Sequence, residues 1–469
     1  MPPASNCRVS GGKPTANVDR ARSDRRCRCS GRPARGYSRR VRHRGRRGRC
    51  RHLVYRARRF FRCSREIRTA ELHHLCHPTI AEDDVKTELM GFLRPDGRWG
   101  YRDHTLVVPV HSALCKIAAD VAESANDDIV AIRHEWDSPR DHADQARVLA
   151  ALLGFATHPN VGATLILGVG DEVELFEQAL TAAEKPHRVV RLDRAGTFDG
   201  LESSAKAALA ELLGEKVPAV RQPAPLSSLC LGLECGSSDA FSGITANPAL
   251  GVASDRLVEA GGTSILAEIT ELLGAEHLLA KRAVSDEAAR QIIEVVARFE
   301  KDVAKIGVDL LGSQPAPGNI AGGLTTIEEK SMGAARKGGT GPISGVVEYA
   351  QRPPGRGLYI MDTPGQDIEQ MVAMVAGGAQ IVAFTTGLGT PTGSPIAPCL
   401  KISSNTEVSQ RLPELIDLDA GTILAGTPIE EVGQRILDEL IEIASGRLTK
   451  AESRGNHEFA LSFIRPTGR

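Results

Sequence analysis

Three stretches concentrate the side chains able to do chemistry. Gly232–Gly251 holds a thiol (Cys235), a carboxylate (Asp239), four hydroxyls (Ser237, Ser238, Ser242, Thr245) and an amide (Asn247), interleaved with Gly236 and Gly243. Further on come Glu268, Glu271 and the pair Glu276-His277. Two carboxylates and an imidazole close in sequence can supply hard and borderline ligands to one divalent metal; ordinary helix-surface charge is the plain alternative. The third stretch, Thr385–Gly393, is a second loop rich in hydroxyls and glycine. Two loops with free backbone N–H groups and several hydroxyls suit a polyhydroxylated carboxylate, which needs many hydrogen bonds and a stabilised negative charge.

These stretches need elements to carry them. Ser228–Leu233 is a short apolar run that reads as a buried strand ahead of the first loop. After that loop, Asn247-Pro248 reads as a helix cap followed by proline at the first helical position. Thr263–Ile269 reads as a strand leading into the acidic pair, and Ile381–Phe384 as one leading into the second loop. Leu358–Met361 is a further strand. Helices are expected at Pro248–Ala260, Ser285–Val303, Thr325–Arg336 and Ile429–Ser445, with Lys337-Gly338-Gly339 ending the third. A strand that empties into a glycine- and hydroxyl-rich turn is how open α/β sheets build ligand sites.

An earlier unit, about 90–220, has the same alternation. Strands are expected at Thr105–Val110, Asp128–Arg133, Val161–Val169 and Arg188–Leu192. Helices are expected at Ser112–Glu123, Asp141–Thr157, Glu172–Ala183 and Leu201–Leu213. This alternation predicts an α/β fold: two units with mainly parallel sheets flanked by helices. The prolines of Gly214–Pro225 mark a linker before the second unit at 226–450, and 451–469 form a tail. Gly168-Val169-Gly170 invites a phosphate reading, but a third glycine is missing and Asp171 and Glu172 would repel an anion. His134 and His158 lie at element ends, where a capping or surface role is the default.

The formal net charge of zero hides an asymmetry. Residues 1–70 hold 23 of the 58 Lys and Arg but three of the 58 Asp and Glu, leaving 35 bases against 55 acids in the rest. Six of ten cysteines fall in the first 76 residues. Residues 1–85 therefore read as a disordered basic segment. Their arginine-rich mix also matches a G+C-rich gene read out of frame, whereas aromatic residues are not spaced for nucleic-acid stacking, which argues against a nucleic-acid partner. His73-His74-Leu75-Cys76-His77 is spaced too tightly to ring one zinc. No apolar run reaches the roughly 18 residues of a membrane span, and no signal-peptide-like segment opens the chain. Sparse cysteines in the body suit a reducing cytoplasm.

From about Gly91 to Gly426 the chain resembles the large-subunit region of the altronate/galactarate dehydratase family, which also includes a sulfolactate sulfo-lyase subunit. The resemblance rests on Gly232–Gly251, Glu268–Ala283, Gly318–Lys330, Gly341–Gly345, Phe384–Gly393 and Asp417–Gly421, supported by Arg94–Arg98 and His158-Pro159-Asn160. It implies a hydro-lyase that removes water from a sugar acid to give a 2-keto-3-deoxy acid, with a divalent metal of iron type, Fe2+ or else Mn2+. On this reading Cys235, Glu268, Glu271 and His277 are the catalytic set, with Cys235, Glu268 and His277 on the metal. Ser237, Asp239, Asn247, Lys330, Thr385, Thr386 and Thr390 would hold the substrate. A homo-oligomer is expected; because residues 1–85 cannot build the family's small β-rich module of the SAF type, that module is either a separate chain or lost from this reading frame. Two further departures stand out. No cysteine follows His134 in Glu135–Pro139, and Asp171 stands where the family often has cysteine. The alternatives are a C–S lyase on a sulfonated hydroxy acid, or a catalytically silent subunit.

Overall fold

The computed structural model describes residues 88–125, 129–136, 142–305, 307 and 314–462. The chain divides into Met1–Thr79 and Ile80–Arg469, and all described residues belong to the second unit. The expectations for residues 1–85 and for the His73–His77 cluster lie outside the described residues.

Three sheets organise the described residues. The strands are β1 (Glu88–Leu93), β2 (Trp99–Gly100), β3 (His104–Pro109), β4 (Ile129–Ala131), β5 (Val161–Gly168), β6 (His187–Arg191) and β7 (Gln222–Pro225). They continue with β8 (Cys230–Gly236), β9 (Thr263–Leu266), β10 (Ile343–Val347), β11 (Gly357–Met361), β12 (Ile381–Thr386), β13 (Cys399–Ser403) and β14 (Leu418–Asp419). The order β4-β3-β5-β6 forms an all-parallel sheet. The order β10-β11-β9-β8-β12-β13-β14 forms a second parallel sheet of seven strands. Strands of both read as near-continuous apolar runs because helices cover both faces. The α/β class with parallel sheets flanked by helices is thus observed.

A third, antiparallel sheet, β2-β1-β7, departs from the expectation of a linker over Gly214–Pro225. Its last residues pair with β1, Met90 opposite Pro223 and Glu88 opposite Pro225. Proline is tolerated there because β7 is an edge strand. Prolines hid the strand, just as short length hid β2 and β14.

Helices α1 (Cys115–Glu123), α2 (His142–Ala156), α3 (Glu172–Ala182) and α4 (Phe198–Glu215) accompany the four-stranded sheet. Helices α5 (Ala246–Glu259), α6 (Glu276–Ala280), α7 (Asp286–Lys305), α8 (Ile327–Ala335), α9 (Asp367–Ala376) and α10 (Ile429–Ala444) accompany the larger one. One apolar cluster joins the two, with Val148, Leu152 and Phe155 of α2 packed with Met371, Met374 and Val375 of α9. At Gly154 a Cβ would fall 2.5 Å from the carbonyl oxygen of Ala376, so glycine sets how closely these helices approach.

Helix α5 begins two residues earlier than expected. Its N-cap is Thr245, so Asn247 lies inside the first turn rather than at the cap. Its amide is thereby freed for contacts across the fold.

Candidate active site

The strand ends of the seven-stranded sheet build the site. Strand β8 runs past the expected end at Leu233 and carries Glu234 and Cys235 inside the ladder, with Cys235 opposite Thr385 and Glu234 opposite Phe384 on β12. The two loops that follow meet directly. The carbonyl oxygen of Ser237 accepts from the N–H groups of Gly387 (3.1 Å) and Leu388 (3.0 Å). At Gly236 a Cβ would lie 2.3 Å from Oδ2 of Asp367, so only glycine lets the first turn of α9 come this close.

Beyond β9 the chain turns sharply. Glu268 has φ 72° and ψ 77°, a left-handed conformation that non-glycine residues seldom adopt. Its N–H donates to Thr363 Oγ1 at 2.6 Å, which fixes the turn. A short 3-10 helix, Ile269–Leu272, then carries Glu271 back over the sheet. The ligand atoms of Cys235, Glu268 and Glu271 all come within 4.8 Å of one another, and all three residues are buried.

Lys337 completes the cluster. The Cys235 thiol donates to Glu271 Oε2 at 2.8 Å. The Lys337 ammonium donates to Cys235 Sγ at 2.8 Å and to Glu271 Oε2 at 3.1 Å. Lys330 lies 3.4 Å from Glu271 Oε1. Gln370 Nε2, on α9, bridges Glu234 Oε1 (2.5 Å) and Glu268 Oε2 (3.3 Å). Sequence reasoning missed Lys337, Gln370 and Glu234. Lys337 looked like helix-ending punctuation; Glu234 fell beyond the expected strand; Gln370 sits beside two acids in the polar first turn of α9, with nothing to set it apart.

The electrostatics follow from burial and charge. Burial would raise the Glu271 carboxyl, but Lys337 and Lys330 outweigh it and hold it at about 2. Burial and the neighbouring Glu271 charge push Glu268 well above the ordinary carboxyl range. Burial pushes Glu234 up as well, and burial followed by Glu271 raises the Cys235 thiol. Burial opposes the Lys337 charge, yet Cys235 and Glu271 hold the ammonium well above its ordinary range. Asp367 is raised by burial and then by Glu271. Four acids thus face two lysines here, and Glu234 Oε2 is buried with no hydrogen-bond partner among the described residues.

That surplus of acid fits a divalent cation. One sulfur and two carboxylate oxygens are a donor set suited to a transition metal, and three protein ligands leave positions open for substrate. A cation would also compete with Lys337 for Cys235 and Glu271.

The expected site residues separate into groups. His277 stands apart from Cys235 and Glu268: it is exposed on α6, whose buried residue is Leu279. Glu271 takes its place in the ligand group because the 3-10 turn folds back, whereas Gly274, at φ 82°, sends the chain outward before His277. Asp239 is a pin between loops. Its Oδ1 accepts from Ser242 N (2.8 Å), Ser242 Oγ (2.8 Å) and Ser404 Oγ (2.7 Å), and its Oδ2 from Asn405 Nδ2 (2.9 Å). Asn247 Oδ1 accepts from Thr385 Oγ1 at 2.6 Å, and Asn247 Nδ2 donates to Gly333 O at 3.1 Å. Thr386 Oγ1 accepts from Gly389 N at 3.1 Å, and Thr390 Oγ1 pairs with Thr392 Oγ1 at 2.9 Å. Ser237 is exposed with φ 51°.

A cavity of about 470 Å³ opens beside the cluster and is lined by Ser238, Asp239, Asn247, Lys330 and Arg336, among others. Thr385, Thr386 and Thr390 are not part of its lining. His134 and His158 serve the fold. His134 Nε2 contacts Pro109 O at 2.8 Å and its Nδ1 accepts from Trp136 N at 3.1 Å; His158 Nδ1 accepts from Asn160 N at 3.1 Å. No helix among the described residues is long and apolar enough to cross a membrane.

Comparison with known proteins gives this geometry its context. Residues 226–466 match the family described as D-galactarate/Altronate dehydratase, C-terminal. Residues 91–215 match D-galactarate dehydratase/Altronate hydrolase, second domain. The chain is 35% identical over 384 residues to altronate dehydratase of Bacillus subtilis, covering 79% of this chain and 76% of that protein. It is 32% identical to the (2R)-sulfolactate sulfo-lyase subunit beta of Chromohalobacter salexigens, covering 80% of this chain and 96% of that one. Galactarate dehydratase (L-threo-forming) of Escherichia coli is 41% identical over 228 residues, covering 48% of this chain and 43% of that protein. With both family regions matched in order, and with a relative 35% identical over 79% of the chain, the chain belongs to the D-galactarate/altronate dehydratase family and is a lyase of the dehydratase type.

Proposed function

We propose that the protein is a metal-dependent hydro-lyase that removes water from an aldonate or aldarate to give a 2-keto-3-deoxy acid. One observation carries the reading: Lys330 lines the 470 Å³ cavity and also lies 3.4 Å from Glu271 of the acid cluster. A substrate carboxylate held by Lys330 would set its α-carbon next to the cluster.

The reaction must take the proton beside the carboxylate and release the hydroxyl on the next carbon. Cys235, Glu268 and Glu271 would hold the divalent metal. When bound, that metal supplies positive charge for the enediolate-like intermediate and for the leaving hydroxyl, at no proton cost. Glu271, ionised throughout the neutral range, is the anionic anchor. Glu268, whose carboxyl burial and the Glu271 charge push up, is the carboxyl of the cluster suited to exchange a proton with substrate when it is not on the metal. Gln370 orients it by its hydrogen bond. Lys330, Ser238 and Asn247 bind the acid, while Asp239, Thr385, Thr386 and Thr390 hold the two loops in register.

The test is 2-keto-acid release from altronate, galactarate and related sugar acids by the full chain, with metal content measured alongside. Turnover with Fe2+ or Mn2+ and its loss in Glu268→Gln are the expected results. Metal-free protein with full turnover would end the metal reading. No turnover on any sugar acid, with or without a small SAF-type chain supplied, would end the dehydratase reading.

A second reading rests on the sulfo-lyase beta subunit, of which this chain covers 96%. A sulfonated hydroxy acid would leave sulfite rather than water, so sulfite release in the same assay separates the two.

A further inference from the structure

A second cavity lies at the opposite end of the seven-stranded sheet. It has a volume of about 340 Å³ and is lined by residues at the N-terminal ends of the strands: Cys230 opens β8, Thr263 opens β9 and Gln380 precedes β12. Cys235 lies near the C-terminal end of β8 and Glu268 just past the end of β9, so the two cavities are separated by the length of the strands.

Its walls carry Arg98, Arg352 and Arg356. Arg352 and Arg356 make no hydrogen bond or ion pair with any described residue, and both are exposed. Arg98 is tied to Asp96 Oδ2 and to Thr157 O, both at 2.7 Å through Nε and Nη2, but its Nη1 is buried without a partner. Partial burial, then the positive charge of Arg98, push the Arg352 guanidinium below its ordinary value. Three guanidiniums converging on one cavity with a single paired carboxylate repel one another unless an anion joins them. The guanidinium fork matches phosphate oxygens in pairs. Trp99 and Pro353 add flat apolar wall, and Gly377 and Gly378 leave the backbone open.

We propose that this arginine-lined cavity is a binding site for a small phosphate-bearing molecule, distinct from the candidate active site. The volume exceeds that of bare phosphate and falls within the range of small-ligand pockets, roughly 300–1,000 Å³. Free phosphate and a phosphorylated metabolite share the anchoring chemistry. Helix α9 joins the two regions: its first turn carries Asp367 and Gln370 near the acid cluster, and Gly377 and Gly378, directly after it, line the arginine cavity.

Calorimetric titration of the full chain with inorganic phosphate and with glucose 6-phosphate, at constant ionic strength, tests the site. Saturable binding of at least one of them is expected, weakened tenfold or more in Arg352→Ala and in Arg356→Ala. Neither side chain has a protein partner, so both variants should fold; equal far-UV spectra check this. Lys330→Met should bind as the parent does. Tighter binding of the ester identifies a metabolite site, and equal affinity identifies phosphate itself; both uphold the site. Absence of saturable binding overturns it. So does unchanged affinity in the arginine variants, or loss of binding in Lys330→Met.

Discussion

The Nζ of Lys337 lies 2.8 Å from Sγ of Cys235, although 102 residues separate them in the chain. The same ammonium reaches Glu271 Oε2 at 3.1 Å and is only 1% exposed. A buried cation thus sits against the thiol and one of the carboxylates that would bind a metal. It offsets the charge of Glu271 without an ion, and a cation entering the cluster would compete with it for the same atoms.

Lys337→Met separates these two roles. Removing one partner of a buried ion pair costs roughly 3–5 kcal/mol, because the other charge is left uncompensated. Urea unfolding in EDTA should therefore show a large loss of stability. Added Mn2+ should restore more stability to the variant than it adds to the parent, since a cation then neutralises Glu271. Equal stability of variant and parent in EDTA would show that Lys337 is not holding the cluster.

Glu271→Gln and His277→Ala make a contrasting pair. Glu271 is a buried member of the ligand group, and its carboxyl is held at about 2 by the lysines. Its amide should lose bound metal and lower turnover by about a hundredfold or more, on the scale of a lost electrostatic stabiliser. His277 is exposed and outside the group, so His277→Ala should keep metal content and turnover within about twofold. Metal loss on His277→Ala would mean that α6 moves inward in the working enzyme.

Much of this site was legible because its residues fall in compact runs at strand ends. Cys235 and Glu268 each lie within a residue or two of the end of an apolar strand, where parallel sheets place their ligands, and Glu271 follows on the short 3-10 helix just after. What could not be read is whatever depends on long-range packing. Lys337 reads as a solvated residue closing a helix until the fold of α8 against the sheet is known. The hydroxyls of Thr385, Thr386 and Thr390 read as substrate contacts, yet they bond to neighbouring protein groups, because two loops brought together must satisfy each other's polar groups first. The parallel sheets were visible through helix–strand alternation; the antiparallel β2-β1-β7 was not, because a proline-bearing edge strand carries no apolar period.

Gly154→Ala tests the packing between the two parallel sheets. Alanine favours a helix by about 1 kcal/mol over glycine, but its Cβ would meet the Ala376 backbone at 2.5–2.7 Å. Backbone cannot yield as a side chain can, so overpacking should win and cost about 1–3 kcal/mol net. A fall in Tm with unchanged metal content is the expected outcome. A rise in Tm would mean that α2 and α9 can separate freely.

Lys185 gives the pH dependence. It is buried, and its ammonium donates to the carbonyl oxygens of His158, at 2.9 Å, and Val161. Burial, then the charges of Arg94 and Arg98, lower it from an ordinary 10.5 to about 7, with Asp96 and Asp103 opposing only in part. Between those values the unfolded chain holds the proton and the folded chain does not. Unfolding therefore takes up a proton, and stability must rise as pH climbs from about 7 to 10.5. Below about 7 both states are protonated and the penalty is complete; above 10.5 it is gone. The full swing is at most about 5 kcal/mol at 1.36 kcal/mol per unit. Lys185→Met should flatten the slope of unfolding free energy against pH in this window alone. A parent whose stability falls from pH 7 to 9, or a variant with the parent's slope, would show that Lys185 stays protonated in the folded chain.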